Sequence, residues 1–545
     1  MRLPAVVIKR EVFLLLLSAG ILGAQATEVI GERMRPHVKF LASDLLEGRG
    51  VGTRGGDLAV EYIASQLAIA GAKPAGENGT YFQKLTLVGV SPSPNSSLTF
   101  TAGGKTTSLK WADEFVGVSF QQKPAVEFDA NAVFVGHGIV APEYQWDDYK
   151  DIDVRGKVVV LFTGEPPSND PKFFTGAALT YYGRWSYKYE EAARKGAIGA
   201  IIIHTTPTAS YGWNVVRSSW STEDLENRLA PGEAALGFAG WVTTEAAAPL
   251  SAAFGKSVDE MLKMADTRGF KAQPLSLNVH VKTESKIRTI ETRNVAARVE
   301  GSDPKLKDET VIFSAHWDHL GIGEAVRGDT IYNGAVDNAT GCAMLIELAR
   351  AWASLPQKPR RSALFLAVTA EEGGLLGSEY YGKNPLIPAG KTALAINYDA
   401  FLPTGRYNDV GVYGSERLTI FPQVQEAARR YGLRIAPDPR PSAGIFYRSD
   451  HFSFARVGIP AFSVDRGEEL SGKPAGTGAK LFEDYNEARY HQPSDEYKDD
   501  WDFSGMEVYA RFGFLINFNV ANLAKLPTWR PGDEFLPARV ASGVK

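Results

Sequence analysis

The stretch from Val311 to Gly341, VIFSAHWDHLGIGEAVRGDTIYNGAVDNATG, holds three residues whose types can do chemistry together: His316, Asp318 and Asp337. Its apolar lead, VIFSA, reads as a short buried strand, so an imidazole and two carboxylates are delivered just beyond a strand end. Zinc takes imidazole and carboxylate ligands. Two metals about 3.5 to 4 Å apart can share a carboxylate and clamp both ends of a displacement. A shared ligand must be an oxygen donor, which Asp337 could be. His316 and Asp318 stand two apart, so on an extended chain both face the same way and the carboxylate can hold the imidazole ring. The stretch reads as half of a two-metal hydrolytic site.

Other polar residues finish other strand candidates: the pair Glu371 and Glu372, and Asp399. Adjacent glutamates point in different directions from a strand end, so one can bind metal while the other moves a proton. Taken alone, the pair is better read as an acidic turn before the helix start GGLLGSEYY, where carboxylates favour the positive dipole end. Three polar tips in succession imply convergence, because ligands of an open α/β sheet bind beyond the carboxyl ends of its strands. Farther on, FYRSDHFSFARVGIP spans residues 446 to 460, and His491 sits in the loop YHQPSDEY, residues 490 to 497. A lone histidine there would ordinarily mean nothing.

The elements that must position these groups alternate. RNVAARVEG, TVIFSAH, SALFLAVTAEE, LAINYDA and IPAFSVDR read as buried strands, with helical patterns over 340 to 354, 374 to 383 and 416 to 431 between them and a closing helix over Ser504 to Leu523. That alternation predicts an α/β fold with a mostly parallel central sheet covered by helices on both faces. Upstream, Arg33 to Leu46 reads as helical, and EGRGVGTRGG, residues 47 to 56, as a structural loop capping a helix over Asp57 to Ala70. No Gly-Lys-Ser/Thr supports a phosphate loop there. Between about Ser91 and Thr283 short β-like runs dominate, with one αβ step at residues 188 to 204, as in a separate domain. Its histidines, His137, His204 and His280, lack metal-ligand spacing and read as packing or surface residues.

Composition bounds the rest. The 545 residues are 44% hydrophobic and 22% charged with a net charge of -4, an ordinary globular make-up without the basic footprint that nucleic-acid binding needs. Residues 1–26 carry Arg2, Lys9 and Arg10, an apolar run from Val12 to Ala24 and Ala24-Gln25-Ala26. This is a secretory signal peptide, with periplasmic or extracellular export as the expectation and no transmembrane span in the mature chain. The one cysteine, Cys342, excludes an internal disulfide and reads as a buried apolar residue of a helix.

Val311 to Leu320, Gly334 to Gly341, Glu371 to Ser378, Asn397 to Asp399, Arg448 to His451 with Gly458 to Pro460, and Tyr490 to Pro493 together resemble the dizinc exopeptidases typified by aminopeptidase Y, aminopeptidase S and glutamate carboxypeptidase. FVGHGIVAPEYQWDDYKDIDVRGKVVVL and YEEAARKGAIGAIIIH resemble a protease-associated domain. The resemblance implies a catalytic domain over 27–90 and 286–545 interrupted by a protease-associated insertion over 91–285. It implies two Zn²⁺ ions: His316 and Asp399 hold one, Glu372 and His491 the other, and Asp337 bridges. Glu371 is then the general base and Asp318 the partner of His316, with Tyr490 and Arg448 as donors to the carbonyl or oxyanion. His319 and His451 fall outside the ligand set and read as residues that support the ligands or the fold, and the Asp337–Asn338 peptide bond is expected to be cis. The implied activity is hydrolysis of peptide substrates, first as an aminopeptidase, in second place as a carboxypeptidase or dipeptidase. A glutaminyl cyclase fits less well, since related cyclases work with one zinc; a non-catalytic receptor is more remote. No oligomeric state is implied.

Overall fold

The computed structural model describes residues 29–544 apart from 171, 177 and 440, and the signal peptide expected over residues 1–26 lies outside them. The chain forms two compact units. One comprises residues through Lys84, Arg293–Pro437 and the chain from Ser449; the other comprises Leu85–Thr292 and Asp438–Arg448.

The first unit is built on β1 (Gln273–Val299, by its C-terminal end), β2 (Thr310–His316), β3 (Ser362–Val368), β4 (Thr392–Tyr398) and β5 (Ala461–Arg466). Their order in the sheet is β1, β3, β2, β4, β5, with β1 antiparallel and the other four mutually parallel. Every residue of β2, β3 and β4 is buried, as strands covered on both faces must be. Period-two alternation splits these residues between two layers. Ile312, Leu364, Leu366 and Ala395 join Tyr381 and Phe454 in one core. Phe313 stacks on Phe365 (5.3 Å) and meets the edge of Trp352 (5.5 Å) on the other side. Trp352 belongs to α2 (Thr340–Ala353) and packs on Phe514 of α4 (Ser504–Ala521); Tyr381 belongs to α3 (Leu376–Lys383).

Register decides where the strand tips fall. His316 lies opposite Val368, and Ser314 opposite Asn397. Parallel strands therefore end together, and the residues that follow them, Asp318, Glu371 and Asp399, emerge at one edge.

Two local expectations are corrected. Helix α1 runs over Arg54–Ile69, beginning before Asp57, because Thr53 caps it by accepting from the Gly56 amide. Gly55 and Gly56 thus lie inside the helix; a Cβ on Gly55 would stand 1.9 Å from the Leu46 carbonyl. The helical reading of residues 33 to 46 resolves into a short α-helix, Arg35–Leu41, and a 3₁₀ segment, Asp44–Arg49, that Glu47 and Gly48 break with positive φ.

In the second unit the strands Ala125–Phe134, Val158–Leu161, Gly199–Ile203 and Phe238–Val242 are parallel neighbours. Helix Trp185–Arg194 leads into the third of these. Alternate residues again face two cores, Val158, Val160, Ile201 and Ile203 in one and Val159, Leu161, Ala200 and Ile202 in the other.

Candidate metal centre

Five of the expected residues meet beyond the tips of β2, β3 and β4. His316 Nε2 lies 3.1 Å from Asp399 Oδ1 and 3.3 Å from Asp337 Oδ1. His491 Nε2 lies 3.3 Å from Asp337 Oδ2 and 3.0 Å from Glu372 Oε2. Asp337 thus offers one oxygen to each histidine, the disposition of a carboxylate between two cations. His491 Nε2 is buried and makes no hydrogen bond of proper geometry despite those two near oxygens, so the donor set fits a metal better than it satisfies itself.

The backbone before α2 presents Asp337. Gly334 has φ 57°, and a Cβ there would strike the Asp337 carbonyl at 2.2 Å and the His319 ring at 2.5 Å. The Asp337–Asn338 peptide bond is cis. The Val336 and Asp337 amides donate to the Asp495 carboxylate (3.1 Å each), while Asn338 Nδ2 donates to the Tyr398 carbonyl (3.0 Å) at the end of β4. Asp399 is held differently: Ser449 Oγ donates to its Oδ2 (2.7 Å), Asn397 Nδ2 donates to Ser449 Oγ, and Ser314 Oγ donates to Asn397 Oδ1. That chain of bonds ties the orientation of Asp399 to β2 and β4.

Asp318 takes a different position from the expected one. Its carboxylate is 3.9 Å from His316 Nδ1, which instead faces the Asp318 backbone carbonyl at 3.2 Å. β2 ends at His316, so the strand pleat no longer sets the direction of Asp318. The carboxylate turns to accept from the amides of Glu371 (3.2 Å) and Glu372 (3.4 Å), fixing the turn that follows β3, where Ala370 has φ 52°.

His319, which the sequence reading set outside the ligand residues, hydrogen-bonds Glu372 Oε1 through Nδ1 at 2.5 Å, and its own Nε2 is buried without a partner. Proximity alone groups His319 with Asp337 and Glu372, and Glu371 with His316 and Asp399. We assign His319 as the residue that orients Glu372, since its bond leaves Oε2 facing His491. Its signal in the sequence was its place in the same WDH turn as Asp318. Asp495, two residues beyond Pro493, was missed; it stands inside the quoted YHQPSDEY loop. Cys342 is buried, its thiol donating to the His316 carbonyl at 3.1 Å, and burial pushes its pKa up to about 12. His451 is buried at the start of helix His451–Arg456.

The charges follow the geometry. Burial alone would lower the pKa of His491, but the Asp337 and Glu372 carboxylates beside its Nε2 outweigh it and push it up to about 10. Burial opposes ionisation of Asp337 as well, and His316 and His491 nevertheless hold it well below the usual range. Glu371 is held well above the ordinary carboxylate value, by burial first and then, against the opposing charge of His316, by Asp399 and Asp450. Tyr490 stacks on His491 at 3.9 Å. Its phenol is raised by desolvation and by the surrounding carboxylates, so it stays a donor. Arg448 is part of the Asp438–Arg448 segment of the second unit, where Arg184 is a close electrostatic neighbour.

Comparison with known proteins agrees with this geometry. An aminopeptidase of Pseudomonas aeruginosa (strain UCBPP-PA14) is 27% identical over 241 residues, 41% of this chain and 40% of the relative. A probable leucine aminopeptidase 2 of Aspergillus oryzae is 26% identical over 235 residues, 41% of this chain and 42% of the relative. The chain thus spans well under half the length of these curated relatives. Among solved structures, an aminopeptidase from Aneurinibacillus sp. strain AM-1 shares the fold with a TM-score of 0.50 at 19% identity, over 94% of this chain and 98% of that one. The model of peptidase family M28 matches residues 294–509. That matched stretch contains His316, Asp337, Glu372, Asp399 and His491, the residues that meet beyond the strand tips.

Proposed function

We propose that this chain is a zinc-dependent aminopeptidase. The observation that carries the reading is Asp337, with one carboxylate oxygen 3.3 Å from His316 and the other 3.3 Å from His491. His316 and Asp399 would hold one zinc and Glu372 and His491 the other, with Asp337 shared. Bound zinc supplies a Lewis acid for the scissile carbonyl and lowers the pKa of water. The chain's own residues do the rest. Glu371, adjacent to a ligand yet not needed as one, takes the proton of the attacking water and returns it to the leaving amine. Tyr490, kept protonated, donates to the developing oxyanion. Clustered carboxylates favour a substrate with a free α-amine.

Residues 1–26 support export to the periplasm or beyond, and among the described residues no helix is long and apolar enough to cross a membrane. The second unit, with YEEAARKGAIGAIIIH on its helix and third parallel strand, is read as a protease-associated domain. A carboxypeptidase or dipeptidase on the same metal centre is the second reading. Metal analysis with paired free-amine and N-acetylated peptides tests both readings. Cleavage of free-amine peptides alone supports the aminopeptidase; preferential cleavage of N-acetylated peptides overturns it.

A further inference from the structure

Arg49, in the glycine-rich loop at residues 47 to 56, is 1% exposed and has φ 53°. Burying a guanidinium is costly unless its donors are satisfied. None of its hydrogen bonds goes to a carboxylate. Nε donates to the Trp317 carbonyl (2.8 Å), Nη1 to the carbonyls of Leu41 and Asn333 (2.6 Å each), and Nη2 to that of Gly334 (2.9 Å). Trp317 lies between His316 and Asp318, and Gly334 opens the turn that presents Asp337. Asn333 is tied to the same N-terminal segment a second time, Nδ2 donating to the Ala42 carbonyl (3.0 Å) and Asp44 Oδ1 (2.9 Å). One planar group therefore joins the segment after β2 to the segment before α2, the two that deliver His316 and Asp337.

We propose that Arg49 is a positioning residue for the metal centre: its forked donors set the distance between His316 and the shared carboxylate Asp337. This rests on the dizinc reading above. The fork matters as much as the charge, because a compact ammonium has three donors on one atom and lacks the planar span with which the guanidinium reaches four separate carbonyls. Arg539 is an internal control. It is fully buried and also bonds carbonyls alone, those of Pro527 (2.9 and 3.2 Å) and Ala389 (2.8 Å), in segments that carry no metal ligand.

The test is zinc affinity of the metal-free full chain, measured by competition with a chromogenic chelator, for wild type, Arg49→Lys, Arg49→Met and Arg539→Met. Thermal unfolding with chelator present serves as the stability readout. Wild type takes two zinc ions, and both Arg49 variants bind the weaker of them on the order of 10- to 100-fold less tightly. Arg539→Met lowers the melting temperature and leaves zinc affinity unchanged. Wild-type affinity in Arg49→Lys overturns the proposal, as does an equal loss of affinity in Arg539→Met. A wild type that binds no zinc overturns the dizinc reading itself, a result distinct from either.

Discussion

The histidines of the second unit and those of the metal centre in the first are held in opposite ways. In the second unit each is satisfied alone: His137 between the Thr163 carbonyl (3.3 Å) and Asp266 (2.8 Å), His204 against the Tyr211 carbonyl (3.0 Å), and His280 beside Asp129 (3.3 Å) on a strand surface. In the first unit, His316, His319 and His491 crowd against Asp337, Glu372 and Asp399, and two of them keep a buried nitrogen without a hydrogen-bond partner. A histidine with its own carbonyl or carboxylate is part of the packing. Histidines that share carboxylates and still lack partners are arranged for a cation.

That contrast can be broken by substitution. Asp337→Ala should have the largest effect, eliminating bound zinc at both positions and with it peptide hydrolysis; elemental analysis that still finds two zinc ions would break the account of the bridge. Glu371→Ala should keep both metals and lower kcat by on the order of 10²- to 10⁴-fold, so full activity in that variant would remove its role as base. His137→Ala should cost about 1–3 kcal/mol of stability by leaving buried partners unpaired, with zinc content unchanged. Loss of zinc in that variant would show that the two units are not independent in this respect. His280→Ala, whose side chain is 35% exposed, should change stability by less than about 1 kcal/mol, as urea unfolding would report.

The pH dependence tests the metal centre in a second way. In metal-free protein His491 is raised from 6.5 to about 10, and a raised histidine contributes stability that is full below 6.5 and is lost as pH climbs through 10. His316 and Glu371 are raised too and act with the same sign. The melting temperature of chelator-treated protein should therefore fall as pH rises over this window. Zinc-loaded protein should not show the fall, because metal binding already requires neutral histidines. Identical profiles for the two forms would contradict the assignment of His316 and His491 as ligands.

The parallel strands were legible because each is a short, predominantly apolar run with polar residues at or just beyond its end. Register then follows from their parallel pairing, so the meeting of His316, Glu372 and Asp399 was legible as well. Directions beyond a strand end were not. Asp318 was expected to face His316 by strand alternation, but the strand stops at His316 and the carboxylate serves the Glu371–Glu372 turn. Arg49 was passed over since its partners are carbonyls of residues far away in sequence, which have no side-chain pattern to read. His319 was legible as a residue supporting the ligands or the fold, but which of the two, and which ligand it serves, is decided only by a distance, here 2.5 Å to Glu372.

Titration of the metal-free chain with zinc, followed calorimetrically at neutral pH, tests the central claim most directly. Two equivalents bound by wild type, with none bound by Asp337→Ala, is the predicted result. Saturation at one equivalent or none in the wild type would contradict a two-metal centre built around Asp337.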